Sequence, residues 1–318
     1  MKTVRSDVHP LHLFHPWQVW PGAYDSPPAD GNYPRPDLDR PIIGPRTPVA
    51  GIGSCFIREI KDRLLAAGYA FLTAETDKKE SRHASAAWER MYNLCSVRQV
   101  IQYALEGLTP LPRWWRTPVT GRVQDPYRRL VVYDDQAQAE ADFARHIQCA
   151  REVLTSAKVL ILSLDYVEIW EDRTTGAVIC LPSGPYFAEG GDLSAYRCRS
   201  ISLAENIDQL EAIRTLLARH NPDCRLVIML SPIQLWATFR TDLDIFSASQ
   251  CAKAILRVAA DEFTCRHPEV SYFPAYEMAM LHRPLLGQNP FAEGREAFHM
   301  SPDTLDHLAT QFIRWYGP

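Results

Sequence analysis

A serine and a cysteine stand side by side behind two glycines in Gly51-Ile52-Gly53-Ser54-Cys55-Phe56. Hydroxyl and thiol groups in such a place can serve as nucleophiles in acyl transfer. The glycines permit a tight turn and let a substrate approach the backbone closely. Pro48–Ile52 reads as a short buried strand, and Phe56, Ile57, Ile60, Leu64 and Leu65 recur at helical spacing up to Gly68. Ser54 is therefore expected at a strand-to-helix junction, where helix N–H groups can receive a developing oxyanion. A serine there also makes an ordinary helix cap. Cys55 is a second possible nucleophile, because a helix N-terminus lowers a thiol pKa, but its side chain is expected to turn into the core. No third glycine follows and Phe56 occupies its neighbourhood, so a dinucleotide fingerprint is not predicted.

A serine nucleophile needs a base. Among ten histidines, His299 has the best context: it lies just before Ser301-Pro302, an N-cap and first-turn pair, and Glu296 precedes it by three residues. A carboxylate on a neighbouring turn can hold one ring nitrogen and stabilise the imidazolium. A surface ion pair would have the same spacing. His9, His12 and His15 recur near the start without a cysteine or carboxylate cluster, so no metal site is predicted, and no cofactor motif is present.

These residues need a scaffold. Lys158–Leu164, Arg225–Leu230 and Val270–Phe273 are apolar runs of strand length, and helical patterns cover roughly 88–106, 136–155, 203–219 and 249–264, with a last helix from Ser301-Pro302. Strands alternating with helices predict a parallel sheet covered on both faces, a three-layer α/β/α sandwich. Tyr69–Thr73 resembles a further strand, while 108–130 and 171–199 read as loop or insertion. Ligands of open parallel sheets bind beyond the carboxyl ends of the strands. The stretch Asp165 to Trp170, Ser231-Pro232 and Pro274 to Glu277 are placed there, as pocket lining or as plain wall.

Nine prolines fall within residues 1–46, interleaved with Phe14, Trp17, Trp20, Tyr24 and Tyr33, which predicts an extended arm packed on a single domain spanning 47–318. The 318 residues carry a net charge of −4, which gives no electrostatic footprint for nucleic acid or an anionic membrane. The longest apolar runs are too short to cross a bilayer. The eight cysteines form no C-x-x-C pair and the first sixteen residues lack an apolar signal region, so a cytoplasmic protein with reduced thiols is expected.

Gly53-Ser54-Cys55-Phe56 resembles the signature of the GSCFA family, whose members are similar to SGNH (GDSL-type) hydrolases. Further segments follow in the same order. Met91-Tyr92-Asn93 resembles the family's Tyr-Asn segment, and Leu162 to Trp170 resembles its TLGLTExW block, with Glu168 and Trp170 matching. Leu230-Ser231-Pro232 with Thr238-Phe239 resembles its SP…TF block, Ala252-Lys253 with Leu256 the helix after it, and Tyr272 to Glu277 its YFPSYE block; His299 falls at the family's late histidine. The resemblance implies an SGNH-like α/β/α fold, a nucleophile at Ser54, a base at His299 and oxyanion donors at Asn93 and the N–H groups near Ser54. It implies an acylated small molecule, acyl thioester or carbohydrate as substrate. The sequence departs from the pattern at Asp165 (family Gly), Val167 (Thr) and Ile57 (Ala), and Glu296 stands where SGNH enzymes place Asp. A carboxylate beside a forming oxyanion would repel it.

The reading is a serine-dependent acyl-transfer enzyme, an esterase, thioesterase or O-acyltransferase, using Ser54, His299 and Glu296. Gly53, Cys55, Asn93, Asp165, Glu168, Trp170 and Ser231 are assigned to the oxyanion or substrate site. The alternatives are a binding module that keeps the fold without the chemistry, and an enzyme with Cys55 as nucleophile.

Overall fold

The computed structural model describes residues 15–23, 28–34, 41–78, 84–108 and 114–318. Its central sheet has the order β1-β5-β9-β10, formed by Val49–Gly53, Val159–Leu164, Arg225–Leu230 and Ser271–Phe273. Every pairing in it is parallel, with Ile52 beside Leu162, Leu162 beside Ile228 and Ile228 beside Tyr272. β1 and β5 are buried along their whole length and β9 from its second residue on, as continuous apolar strands covered on both faces should be.

Two helix groups flank the sheet. Helix α1 (Phe56–Ala66) packs on α9 (Pro302–Tyr316), while α2 (Leu94–Glu106), α3 (Gln136–Ser156), α5 (Leu203–His220) and α6 (Ile245–Arg266) pack in series. Three short turns, α4 (Pro185–Ala188), α7 (Ala275–Glu277) and α8 (Arg283–Leu285), lie between them in the chain. The long helices start where local chemistry allows. Asn93, Asp135, Ser202, Asp244 and Ser301 each cap a first turn with a side-chain oxygen, and Ser202 with Glu205 completes a capping box. The predicted α/β/α architecture is the one observed.

Some elements differ from expectation. Residues 88–93 are not helical. Their backbone groups bond elsewhere: Met91 N–H donates to Gly53 O (2.8 Å), and Tyr92 O accepts from Tyr166 N–H (2.9 Å). Tertiary hydrogen bonds thus displace helical ones. Of the predicted strand at 69–73 only a bridge from Phe71 to Val49 forms. The stretches read as loops, with the residues bordering them, form two small antiparallel sheets, β2-β3-β4 (Trp115–Arg116, Val123–Gln124, Val132–Tyr133) and β7-β6-β8 (Val178–Ile179, Glu168–Asp172, Tyr196–Ser200). Most of these strands are too short to show an alternating pattern. Before β1, Ile42 and Ile43 N–H both donate to Tyr316 O, and Tyr33 N–H to Gln311 Oε1.

Gly53 is a tight point of the frame. Its φ is +143°, and a Cβ there would lie 2.2 Å from Ser163 O. Both strain and overlap oppose any side chain at the end of β1. Gly53→Ala is expected to destabilise the fold by about 3 kcal/mol or more, read as a lowered urea midpoint at unchanged slope.

Candidate active site

A cleft of about 370 Å³ opens beyond the carboxyl ends of the central strands. Three of the four strands contribute through the residues that follow them: Cys55 after β1, Asp165 and Tyr166 after β5, and Ile233 and Gln234 after β9, whereas Pro274 to Glu277 after β10 do not line the cleft. His299 and Phe298 arrive from the loop before α9, and Trp236 and Phe239 from the loop before α6. Arg90 and Tyr92 come from the extended stretch before α2, and Arg129 from the segment between β3 and β4.

The nucleophile candidates separate sharply. Ser54 has no exposed surface and is absent from the cleft wall. Its hydroxyl lies 3.1 Å from Ser163 Oγ, and its N–H donates to Ser163 O at 3.2 Å, which ties the end of β1 to β5. Cys55 is the next residue and the N-cap of α1, and it lines the cleft with His299. The Cys55 side chain is buried and joins the core, as expected, but it is Cys55 rather than Ser54 that borders the cleft. Burial above all, with the Asp165 carboxylate, pushes the Cys55 thiol up to about 11, while Arg90 and Arg58 pull against the rise. At neutral pH the resting group is a thiol, so it needs a base to react.

His299 Nδ1 lies 2.5 Å from Glu296 Oε2, the spacing expected from the sequence. With Nδ1 engaged, Nε2 is the nitrogen left for proton transfer. His9 and His12 lie outside the described residues, and the His15 ring stacks on Trp17.

Asp165 forms an ion pair with Lys253 of α6, and both side chains are buried. Burial raises its carboxyl from the usual 3.8 to about 6, against the pull of Lys253 and His299. The charge that would repel an oxyanion is thus neutralised from below.

The remaining assigned residues lie behind the cleft wall, and Asn93 Nδ2 is buried there with no hydrogen-bond partner. Asn93 Oδ1 accepts from Ser96 N–H and caps α2, and the residue is not on the cleft wall. The Glu168 carboxylate accepts from Thr238 Oγ1 (2.5 Å) and Phe239 N–H (2.7 Å), anchoring the loop that carries Trp236 and Phe239. Trp170 supports the same loop edge-on against Phe239, with ring centroids 4.9 Å apart. Ser231 is fully buried and accepts from Ile233 N–H. Gly53 shapes the turn without touching the cleft. Sequence reasoning missed Arg90, Arg129, Gln234 and Trp236, which belong to no local pattern.

Residues 48–312 match the GSCFA family. The chain belongs to that family. In this GSCFA protein the signature residues Gly53, Ser54 and Cys55 are the turn, the strand tie and the cleft residue in that order. Two solved structures resemble the fold. One is a carbohydrate esterase family 3 protein from Talaromyces cellulolyticus, with TM-score 0.38 and 8% identity over 84% of this chain and 94% of that one. The other is a mutant acetyl esterase with an acetate ion, with TM-score 0.35 and 10% identity over 83% of this chain and 93% of that one. Similarity this low bears on neither activity nor substrate. No curated protein sequence matches the chain. Among the described residues no helix is long and apolar enough to cross a membrane.

Lys253→Met tests the buried pair. Because the folded Asp165 carboxyl titrates above its unfolded value, the folded chain binds that proton more tightly. This group's contribution to stability is complete below about pH 4 and lost as pH rises through about 6. Removing Lys253 strands a charge only once Asp165 is ionised. The variant is expected to lose about 3–5 kcal/mol at pH 8 and distinctly less at pH 5, measured by urea unfolding at both pH values.

Proposed function

We propose that this protein is an SGNH-like acyl-transfer enzyme in which Cys55, rather than Ser54, is the nucleophile. The observation that carries the reading is that Cys55 and His299 line one cleft while Ser54 is sealed from it. In the proposed step His299 Nε2 takes the Cys55 thiol proton as Sγ bonds to the acyl carbonyl carbon. The N–H groups at the start of α1 face the charge that develops on the carbonyl oxygen. The tetrahedral intermediate collapses, the bond to the leaving oxygen or sulfur breaks, and His299 returns the proton to the leaving group. Water or an acceptor hydroxyl then attacks the acyl-cysteine and regenerates the thiol. Glu296 orients His299 and stabilises its imidazolium.

The substrate class this supports is an acyl thioester or ester of a small molecule or carbohydrate. A thiol exchanges with a thioester at little change in free energy, which favours a thioester donor. The cytoplasmic, reduced setting read from the cysteines suits a catalytic thiol.

Cys55→Ala is expected to abolish acyl-enzyme formation and lower thioester turnover by roughly 10³-fold or more, and His299→Ala to do much the same. Ser54→Ala is expected to keep turnover within about tenfold and to lose stability instead. Intact-mass analysis with an acetyl thioester, followed by peptide mapping, reads the acyl group on Cys55. An acyl group mapped to Ser54, or full turnover in Cys55→Ala, overturns the reading.

A further inference from the structure

One charge in the cleft has no counterion. Asp165 is neutralised by Lys253. The buried carboxylate of Glu89 is held by Arg129 Nε at 2.8 Å, and Glu296 is engaged by His299. Arg90 has no ion-pair partner among the described residues; its Nε is shut off from solvent and accepted by nothing, its charge acts on Tyr92, Cys55 and Glu89, and the residue lines the cleft. Arg129 bonds Glu89 and Ser183 Oγ through Nε and one terminal nitrogen, and it too lines the cleft. Both guanidiniums act on the Tyr92 hydroxyl, which places them in one electrostatic neighbourhood. A half-buried guanidinium that makes no ion pair fits a planar or tetrahedral anion through paired N–H bonds, as an ammonium would not.

We propose that Arg90, assisted by Arg129, forms an anion subsite, so that the acyl compound handled here carries a carboxylate or phosphate group close to the carbonyl that Cys55 attacks. This deepens the Cys55 reading and rests on it. The same cleft has an apolar side made by Trp236, Phe239 and Phe298, and Trp236 is 74% exposed with no described role in the core. The preferred ligand is therefore charged at one side and apolar at the other.

The test compares two alkylating reagents that differ in charge, iodoacetate and iodoacetamide, at Cys55. Both consume the same thiolate, so the ratio of their rates cancels any effect of Arg90 on the thiol pKa. Rates are followed by mass spectrometry of the Cys55 peptide and normalised to a short cysteine peptide. The wild-type protein is expected to favour iodoacetate by roughly tenfold or more over the peptide's ratio. Arg90→Gln should bring the ratio close to the peptide's, with Arg90→Lys retaining part of it. A wild-type ratio equal to the peptide's, or one that Arg90→Gln leaves unchanged, overturns the subsite and leaves the Cys55 reading standing. Failure of both reagents to label Cys55 overturns that reading and the subsite with it. Should Arg90→Gln not fold, inorganic phosphate at matched ionic strength provides the second measurement. It is expected to slow Cys55 alkylation in the wild-type protein and spare the other cysteines; no protection overturns the subsite.

Discussion

An ammonium and a carboxylate, both removed from water, meet beneath the cleft as Lys253 and Asp165. Each alone would carry a desolvation penalty of several kcal/mol, and only the partner offsets it. The pair therefore fixes where α6 sits against the end of β5. It also sets the electrostatics above it, since the Asp165 charge reaches both the Cys55 thiol and the His299 ring. With Lys253 in place the floor of the cleft is close to neutral, and a negative charge can develop there without facing a bare carboxylate. Without Lys253 the same floor would repel substrate anion and oxyanion alike.

Around this floor, the walls are held by groups that do no chemistry. Ser54 and Ser163 lock the ends of β1 and β5 together, and Gly53 allows the strands to approach that closely. Glu168 fixes the aromatic loop through Thr238 and Phe239. A buried polar cluster secures the far wall: Glu75 accepts from Ala87 N–H and faces His146 Nδ1 at 2.9 Å, while Arg128 pairs with Asp125 (2.8 Å) and Asp142 (3.1 Å). That cluster joins the stretch just before Arg90 to the segment carrying Arg129. A buried network of this kind holds its members in place because unpairing one of them is heavily penalised. The two arginines are thereby presented from anchored backbone.

The strands were legible because a buried parallel strand is a bare apolar run, and Val159–Leu164 and Arg225–Leu230 are such runs. His299 with Glu296 was legible because i and i+3 meet on one turn. The choice between Ser54 and Cys55 was not. The residues are adjacent, and the turn imposed by Gly53 decides which side chain faces the strand and which the cleft; that turn depends on Ser163 and Met91, more than a hundred and nearly forty positions away. Arg90 and Arg129 were hidden for the same reason, since their neighbours are distant in the chain. The stretch 88–93 has Trp88 and Met91 at helical spacing, yet its backbone groups find better partners in Gly53, Asp165 and Tyr166. Propensity yields where tertiary hydrogen bonds are available.

The state of the thiol ties these features to reactivity. A cysteine at the start of a helix is often drawn toward its thiolate, yet here burial and Asp165 outweigh the nearby Arg90 and Arg58, and the thiol keeps its proton. Such a group reacts when a base removes its proton as the bond forms, whether that bond is to an acyl carbon or to an alkylating reagent. The imidazole that lines the same cleft, with Nδ1 committed to Glu296, is the group positioned to do so. The protonated resting thiol and the proposed dependence on His299 follow from one arrangement: a cysteine buried against a neutralised carboxylate, at the edge of a cleft that also holds Arg90.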